Sequence, residues 1–275
     1  MNFSVLLSLY YKENPVFLKE CLESLKNQTL QANEIVIVFD GEITSELETV
    51  VDKYTQVLPI KIIRLSKNMG LGKALNKGLK HCSNEWVFRM DTDDICDSQR
   101  FEKQINFLKH HPEVSVLGSN ISEFNLQPND LRRSRIMPEN HSEIYKFAKF
   151  RCPINHPTVV FKKNDVLQAG NYSGKLLLWE DYTLWVTMLS KGYIFHNLQE
   201  NLLHFRVKDG KETIKRRRGL KYALDELKFA KHIRKIGFFS LPEYLKFIIL
   251  RPLSRLLPAN VLLFIYNNIY RKTDK

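Results

Sequence analysis

Short apolar runs alternate with helical patterns along residues 1–90, and this alternation constrains the fold more than any other feature of the chain. The second run, Glu34–Phe39, contains Ile-Val-Ile-Val, which is too short and too rich in β-branched residues for a helix. Alternating strands and helices predict an α/β domain, with a doubly wound, mostly parallel sheet and helices on both faces. The predicted strands are Ser4–Leu9, Glu34–Phe39, Ile60–Leu65 and Trp86–Met90, and the predicted helices are Pro15 to about Asn27, Ser45–Tyr54 and Leu71–His81.

Unusual polar residues stand at the end of each predicted strand. The segments are Tyr10–Glu13, Asp40–Gly41, Asn68–Gly70 and Asp91–Asp94. In an open parallel sheet, ligands bind outside the carboxyl ends of the strands. Four separate loops are therefore expected to converge on one rim, which predicts a ligand site there.

The last of these segments places three carboxylates directly after an apolar run. Asp91, Asp93 and Asp94 follow Trp86–Met90, and a buried strand that ends in clustered acids is costly unless a positive charge lies beside it. Oxygen ligands suit Mg²⁺ or Mn²⁺, which bind proteins through one or two carboxylates together with substrate phosphates. The alternative is a solvated turn in which aspartates cap the next helix.

Further elements are predicted after Asp94 and would form a smaller second half. They are a helix at Gln99–Lys109, strands at Val114–Gly118, Val159–Phe161 and Leu176–Trp179, a helix at Leu184–Leu189, and strands near Tyr193–His196 and Leu202–Val207.

Several classes of protein are excluded by what the chain lacks. It has neither Gly-x-Gly-x-x-Gly nor Gly-x-x-x-x-Gly-Lys-Ser/Thr, so a dinucleotide site and a P-loop are not indicated. The four cysteines are scattered, which argues against a disulfide framework or a zinc site and fits a reducing cytosol. The first ten residues lack a basic region and are interpreted as a strand, not a signal peptide.

The net charge of +12 lies entirely in the last quarter of the chain. Residues 1–205 carry 24 Lys/Arg and 24 Asp/Glu, whereas residues 206–275 carry 18 and 6. This asymmetry predicts a polyanionic partner, either an anionic membrane or nucleic acid. A basic helix is predicted from Lys215 to about Lys235, and the apolar stretches Leu245–Leu250 and Val261–Tyr266 are far shorter than the roughly 20 residues that span a bilayer. We expect residues 206–275 to form amphipathic helices in the headgroup region. A helical cap with a solvated basic face is the alternative.

The order of these motifs resembles the family 2 glycosyltransferases with the GT-A fold. The resemblance runs from Ser4 to about Arg206, so residues 1–205 are interpreted as the catalytic domain and residues 206–275 as a membrane-associating region. It includes Tyr10 and Glu13, Asp40, Asn68-x-Gly70-Leu71 with Asn76-x-Gly78, Asp91-Thr92-Asp93, and Glu180-Asp181. Asn155–Phe161 and the basic C-terminus are similar to bacterial amylovoran and O-antigen enzymes, which extend a sugar on a polyprenyl (undecaprenyl) diphosphate carrier.

The resemblance implies a site for a UDP-sugar donor. Asp40 would accept a hydrogen bond from the uracil imide, although Asp-Gly alone also fits a simple turn. Asp93 would be the principal ligand of Mn²⁺ or Mg²⁺, with Asp91 close to the metal and the ribose. Lys73 would neutralise phosphate, or else be a solvated helix lysine. The other residues implied to line the nucleotide-sugar site are Ser8, Tyr10, Glu13, Asn68, Gly70 and Thr92.

The resemblance also implies a catalytic base and an acceptor site. Asp181 would take the proton of the acceptor hydroxyl in a one-step, inverting displacement, and Glu180 would orient the acceptor. The alternative is that both acids cap the helix that follows them. Trp179 would stack on a sugar ring or pack in the core, and His156 would contact the acceptor or be structural. Arg206 is implied at the diphosphate, while Lys208 stands where relatives carry histidine.

We therefore expect a metal-dependent, inverting hexosyltransferase that uses a UDP-sugar, with galactose or glucose favoured. Its acceptor would be a sugar on undecaprenyl diphosphate, in O-antigen or exopolysaccharide synthesis at the cytoplasmic face of the bacterial inner membrane, where the protein would be peripheral. One competing interpretation is a nucleotidyltransferase, which would be expected to carry a glycine-rich loop after the first strand. The other is a non-catalytic nucleic-acid binder, against which the acid cluster and the neutral first 205 residues argue.

Overall fold

A computed structural model describes residues 1–174, 179–207, 219–255, 257, 261 and 272–273. The strands are β1 Phe3–Leu9, β2 Glu34–Phe39, β3 Ile60–Arg64, β4 Trp86–Arg89, β5 Ile95–Cys96, β6 Val114–Phe124, β7 Arg133–Arg135, β8 Val160–Lys162, β9 Ile194–Arg206 and β10 Lys272–Thr273. The helices are α1 Pro15–Lys26, α2 Ser45–Thr55, α3 Leu71–His81, α4 Arg100–His110, α5 His141–Phe147, α6 Lys163–Ala169, α7 Glu180–Ser190, α8 Leu220–Lys235 and α9 Leu241–Ser254, with a 3-10 turn at His156–Thr158.

The first four strands form a parallel sheet in the order β3-β2-β1-β4. Beyond β4 the sheet continues through β8, which is antiparallel to β4 and β6, while β9 runs parallel to β6. Strand β1 is almost wholly buried because helices cover both faces of the sheet, as parallel sheets require. The predicted α/β architecture is confirmed.

Side chains that alternate along β1 enter two separate cores. Leu6 packs with α3 and α7 on one face, whereas Val5 and Leu7 pack with α1, α2 and α4 on the other. Each set follows the two-residue period of a strand. Side-chain caps begin the first two helices, since Asn14 accepts a hydrogen bond from Val16 N and Thr44 accepts one from Leu47 N. The predicted ends of the elements up to β4 agree with the structure to within one residue.

The second half differs from the prediction at several elements. Helix α7 begins at Glu180, four residues before the predicted start at Leu184, and β5, β7, α5 and α6 were not predicted. Strand β6 extends to Phe124, six residues beyond the predicted end at Gly118. The two strands predicted near 193–196 and 202–207 are one strand, β9, whose pairing with β6 shifts register near Ser119 and Asn120. Polar residues inside both strands resemble loop sequence, and their pairing is decided by a partner far along the chain. The strand predicted at 176–179 lies mostly outside the described residues.

Helices α8 and α9 pack against the α/β body through one face each. Phe229, Ile233 and Phe247 are buried in the same cluster as Trp179 and Tyr182. The predicted helix start at Lys215 and most of the apolar stretch at 261–266 lie outside the described residues, as does Lys208. Among the helices that the structure describes, none combines the length and apolar character of a membrane span.

Candidate active site

Asp40 lies at the carboxyl end of β2 and ties this strand to the loop after β3. Its buried carboxylate accepts hydrogen bonds from the backbone N–H groups of Met69 (2.6 Å) and Gly70 (2.9 Å). Gly41 follows with φ +87°, and an added Cβ would lie 2.6 Å from the backbone nitrogen of Asn68. Glycine suits this position because it has no Cβ and tolerates positive φ. Two of the four predicted rim loops are therefore in contact.

Glu13 connects the loops that follow β1 and β4. Its Oε2 accepts a hydrogen bond from the hydroxyl of Thr92 at 3.0 Å, and both side chains are buried. The thiol of Cys21, on α1, lies 3.4 Å from the carbonyl oxygen of Asp91. Because β1 lies between β2 and β4, these contacts and those of Asp40 belong to one continuous rim.

The three aspartates after β4 are brought together. One carboxylate oxygen from each of Asp91, Asp93 and Asp94 lies within 4.8 Å of the others. Asp91 is paired with the buried guanidinium of Arg89. Asp94 is fully buried, and its Oδ1 accepts a hydrogen bond from the backbone N–H of Arg206 at 2.9 Å. Burial raises the pKa of Asp94 well above its usual range, and the neighbouring charges of Asp93 and Asp91 raise it further.

The acid cluster fits a hard divalent cation. Asp94 Oδ2 is buried and has no hydrogen-bond partner among the described residues. An orphaned carboxylate oxygen beside two further carboxylates is costly without a proton or a cation. The candidate metal-ligand atoms of this cluster are carboxylate oxygens, the ligand type that Mg²⁺ and Mn²⁺ prefer.

A second pair of acids, Glu180 and Asp181, stands at the N-terminus of α7, and α3 packs against it. An added Cβ at Gly72 would lie 3.0 Å from Cβ of Glu180, so the two helices approach closely there. Asp181 is half-buried, and its Oδ1 accepts a hydrogen bond from the backbone N–H of Tyr182 at 2.7 Å. The thiol of Cys152 lies 3.6 Å from Asp181 Oδ2. Both acids are in the first turn of a helix, where a carboxylate is stabilised, so the capping alternative and a functional role are compatible.

His156 lies in the 3-10 turn before β8 and contacts the core. Its Nε2 is 3.1 Å from the hydroxyl of Tyr172. Desolvation by burial lowers the pKa of His156 well below its usual value, and the positive charge of Arg89 lowers it further. The imidazole is therefore neutral at pH 7 and suited to hydrogen bonding.

Trp179 packs in the core and does not face solvent, in agreement with the second of the two roles predicted for it. Its side chain is only 3% exposed and packs against Tyr182 and Phe229, with ring centroids 6.0 and 4.7 Å away. A ring in that position offers no face to a sugar. The predicted acceptor stacking is therefore corrected to a packing contact between α7 and α8.

The remaining predicted residues lie on the rim with differing exposure. Tyr10, Asn68 and Lys73 are exposed, and Ser8 is half-buried. Lys73 lines a cavity of about 230 Å³ with Asn76, Lys77 and other residues of the same region. Arg206 is buried beside Asp93 and Asp94. The roles of these residues stay predictions.

Four residues that contact the site were not singled out from the sequence. Arg89 pairs with Asp91, Glu20 pairs with Arg206, and Cys152 and Tyr172 contact the predicted residues Asp181 and His156. One signal was available, because Arg89 is a charged residue inside an apolar strand, which predicts a paired buried charge. The other three depend on contacts between distant parts of the chain.

Comparison with known proteins agrees with this geometry. A family model described as Glycosyl transferase family 2 matches residues 4–168. An uncharacterized glycosyltransferase of Haemophilus influenzae is 47% identical, over 99% of this chain and 100% of that protein. The amylovoran biosynthesis glycosyltransferase AmsE of Erwinia amylovora is 41% identical, over 96% and 97%. The UDP-Gal:alpha-D-GlcNAc-diphosphoundecaprenol beta-1,3-galactosyltransferase of Escherichia coli is 40% identical, over 98% and 97%.

Solved structures share the fold at lower identity. S. aureus TarS 1–349 in complex with UDP-GlcNAc superposes with a TM-score of 0.67 at 20% identity, covering 90% of this chain and 70% of that one. The mannosyltransferase PcManGT from Pyrobaculum calidifontis, in complex with GDP-Man and Mn²⁺, has a TM-score of 0.60 at 16% identity, covering 98% and 81%.

Proposed function

The chain belongs to glycosyl transferase family 2, and from that premise we propose that it transfers a hexose from a UDP-sugar to a sugar on undecaprenyl diphosphate. The observation that carries the proposal is 40% identity, over almost the whole of both chains, to an enzyme named for that donor and acceptor class. Galactose is the favoured donor sugar on the same ground, with glucose the next choice. The product would be an intermediate of O-antigen or exopolysaccharide synthesis, as the name of the amylovoran relative supports.

The donor nucleotide would lie along the rim between β1, β2 and β4. Asp40 uses its two oxygens to hold Met69 and Gly70, but an ionised carboxylate offers about four lone-pair sites. It can therefore also accept the uracil N–H, so that one residue shapes the loop and recognises the base. Tyr10 and Asn68 are exposed on the same rim, in positions that suit contact with base or ribose.

The diphosphate would be held by a divalent cation on the acid cluster. Asp93 and Asp91 would hold Mn²⁺ or Mg²⁺, and the bound ion would stabilise the negative charge of the departing UDP as a Lewis acid. The support is the close approach of three carboxylates and the orphaned oxygen of Asp94. Arg89 fixes Asp91 from the buried side of the loop.

Asp181 would act as the general base. In the proposed step the acceptor hydroxyl oxygen forms a bond to C1 of the sugar, the bond from C1 to the UDP oxygen breaks, and the hydroxyl proton moves to Asp181. A single displacement inverts C1, so an α-linked donor yields a β-linkage. The backbone N–H of Tyr182 bonds Asp181 Oδ1, and the thiol of Cys152 lies 3.6 Å from Oδ2, so contacts at both oxygens orient the carboxylate.

Helices α8 and α9 would bind an anionic membrane and bring the enzyme to its lipid-linked acceptor. Three leucines of α8 recur at helical spacing on its exposed side, and four apolar residues of α9 do the same. Exposed lysines accompany them, each worth about 1 kcal/mol near an anionic surface. The apolar residues are Leu220, Leu224, Leu227, Leu241, Leu245, Ile249 and Leu250, and the lysines are Lys221, Lys228, Lys231, Lys235 and Lys246. These side chains support peripheral binding to an anionic membrane, and we propose the cytoplasmic face of the inner membrane as its place.

Transfer assays test the reaction. The purified chain is incubated with a panel of sugar nucleotides, Mn²⁺ or Mg²⁺, and N-acetylglucosamine or N-acetylgalactosamine diphosphate-lipid analogues. We expect the native chain to transfer a hexose from a UDP-sugar, and Asp93→Ala and Asp181→Asn to lose at least about 100-fold in kcat. Asp52→Asn, an exposed aspartate on α2, is the matched control and should retain native activity. Full transfer by Asp181→Asn would refute the base assignment.

Vesicle sedimentation tests the membrane surface. Binding to vesicles that contain phosphatidylglycerol should exceed binding to pure phosphatidylcholine vesicles and should fall with salt. The double variant Leu245→Gln/Ile249→Gln should lose binding, whereas Leu126→Gln, at a leucine that is 81% exposed outside these helices, should not. Salt-sensitive binding to RNA without vesicle binding would instead support the nucleic-acid interpretation.

A further inference from the structure

Arg206 is joined to the metal-binding loop through that loop's backbone as well as its side chains. It is the last residue of β9 and is 5% exposed. Its backbone N–H donates to Asp94 Oδ1 at 2.9 Å, and its Nε–H donates to the carbonyl oxygen of Asp93 at 2.9 Å. Arg206, at the end of a distant strand, therefore bonds both the Asp93 backbone and the Asp94 side chain.

The guanidinium of Arg206 is itself fixed on its other sides. Nη2 pairs with the carboxylate of Glu20, on α1. Its central carbon lies 4.0 Å from the ring centroid of Phe17 and 4.4 Å from that of Phe124, in the range of cation–π contacts. Because a guanidinium is planar with N–H groups in a rigid fork, contacts at Nε and Nη2 set its orientation.

We propose that Arg206 is a positioning residue, which holds Asp93 and Asp94 in the conformation that receives the divalent cation, and that Glu20 holds Arg206. This inference rests on the metal role that the proposed function gives to Asp93. The carbonyl of Asp93 belongs to the same residue as the proposed metal-binding carboxylate, so fixing the peptide restricts where that side chain points. Groups that orient a metal ligand in this way are part of the site even though they do not contact the ion.

The competing role for Arg206 is direct contact with the donor diphosphate. Turning the guanidinium toward a diphosphate would break its pair with Glu20 and its bond to the Asp93 carbonyl, and would move it away from Phe17. Those contacts bury a charge that is costly to leave unpaired. The two roles predict different losses when Arg206 is replaced, because positioning acts on metal affinity and direct contact acts on UDP affinity.

Mn²⁺ titration of the purified chain separates the two roles. Free Mn²⁺ is followed by electron paramagnetic resonance, with and without UDP, and UDP affinity is measured both in EDTA and at saturating Mn²⁺. We expect Arg206→Gln and Arg206→Lys each to weaken Mn²⁺ binding about 10- to 100-fold, and UDP affinity at saturating Mn²⁺ to change little. Lysine should not rescue, since it keeps the charge but lacks the fork.

Native Mn²⁺ affinity in Arg206→Gln, together with weaker UDP binding in EDTA, would overturn the proposal and favour direct diphosphate contact. Arg135→Gln is the matched control, because Arg135 also pairs with a glutamate, Glu123 at 2.8 Å, and lies 5.2 Å from the ring of Phe205. It should leave Mn²⁺ affinity unchanged.

Glu20→Gln is a milder substitution that tests the proposal if Arg206→Gln does not fold. Glu20→Gln removes only the charge that orients Arg206, and it should weaken Mn²⁺ binding by less than Arg206→Gln does. Native Mn²⁺ affinity in folded Glu20→Gln would contradict the role given to Glu20. Mn²⁺ binding needs no sugar or acceptor, so it can be measured even if the native chain transfers no sugar. If Arg206→Gln weakens Mn²⁺ binding while the native chain shows no transfer, the proposed substrates are wrong and the positioning role stands. A native chain that binds no Mn²⁺ would overturn the positioning role itself.

Discussion

Single residues on the rim act by holding neighbouring loops together. Asp40 bonds two backbone N–H groups of the loop after β3, and Glu13 bonds Thr92 across from β1 to β4. Each residue was predicted to contact nucleotide, and each also has a structural task in the protein alone. A substitution there is therefore expected to change both stability and nucleotide affinity.

Gly41→Ala tests the contact between two rim loops. Alanine at positive φ costs roughly 1–2 kcal/mol, and here its Cβ would also meet the backbone of Asn68 at 2.6 Å. We expect a loss in the free energy of unfolding greater than 2 kcal/mol, with weaker UDP binding, measured by urea denaturation and calorimetry. Gly192→Ala is the matched control, since Gly192 has φ +83° with no atom within 4 Å of the added Cβ. It should show the conformational cost alone and native UDP affinity; equal effects in the two variants would refute the steric argument.

At the scale of elements, a buried charge cluster joins α8 and α9. Glu226 is fully buried, and its Oε1 accepts hydrogen bonds from Nε and Nη2 of both Arg251 and Arg255, at 2.9 to 3.2 Å. Nη1 of Arg251 also donates to the carbonyl oxygen of Phe150. The cluster therefore fixes α8 and α9 to each other and to the loop that leads to Cys152, whose thiol lies beside Asp181.

Glu226→Gln is expected to destabilise the protein strongly. The glutamine keeps the shape but removes a buried negative charge to which both guanidiniums bond, and breaking a buried ion pair costs about 3–5 kcal/mol. Urea unfolding at pH 7 measures the loss. Asp225→Asn changes the neighbouring acid, which pairs with the exposed Lys228, and should stay within about 0.5 kcal/mol of native. If Glu226→Gln also stays within about 0.5 kcal/mol of native, the cluster contributes no net stability.

At the scale of the whole molecule, partly buried histidines predict sensitivity to acid. Desolvation lowers the pKa of four of them, His141, His156, His196 and His204. On acidification the unfolded chain binds these protons first, near pH 6.5, so stability that is present above that pH is lost below it. Asp94 acts in the opposite direction, because its raised pKa lets the folded state bind a proton first. A difference between variants is therefore needed to isolate one histidine.

His156→Gln isolates the histidine whose pKa is lowered most clearly. One proton bound only by the unfolded chain changes stability by at most about 1.4 kcal/mol per pH unit. Between about pH 7.5 and pH 5.5, the native protein should therefore lose more free energy of unfolding than His156→Gln does. Glutamine can still bond the hydroxyl of Tyr172, which limits other effects of the change. Parallel losses, measured by urea unfolding at both pH values, would show that His156 titrates alike in both states.

Local sequence was sufficient for the first half of the fold and for the contact between loops on the rim where the candidate site lies. Apolar runs, β-branched residues and caps depend on neighbours within a few positions, so they predicted β1 to β4, α1 to α3 and the rim. The same local pattern predicted the acid cluster at Asp91–Asp94, because an apolar strand that ends in carboxylates is visible without a structure. The order of the motifs indicated the family, and the family model that matches residues 4–168 confirms that assignment.

Only the tertiary structure decided how distant segments complete that site. Strand β9 is one strand and not two because Asn197 and Asn201, on either side of an irregularity at Gln199 and Glu200, both pair with β6. Trp179 packs in the core, and not against a sugar, because Phe229 of α8 covers it. Arg206 contacts Asp93 and Glu20, which are each more than a hundred positions away in the sequence. Such contacts depend on which surfaces are buried together when the chain closes, and no local pattern records the partner of a residue that lies so far away.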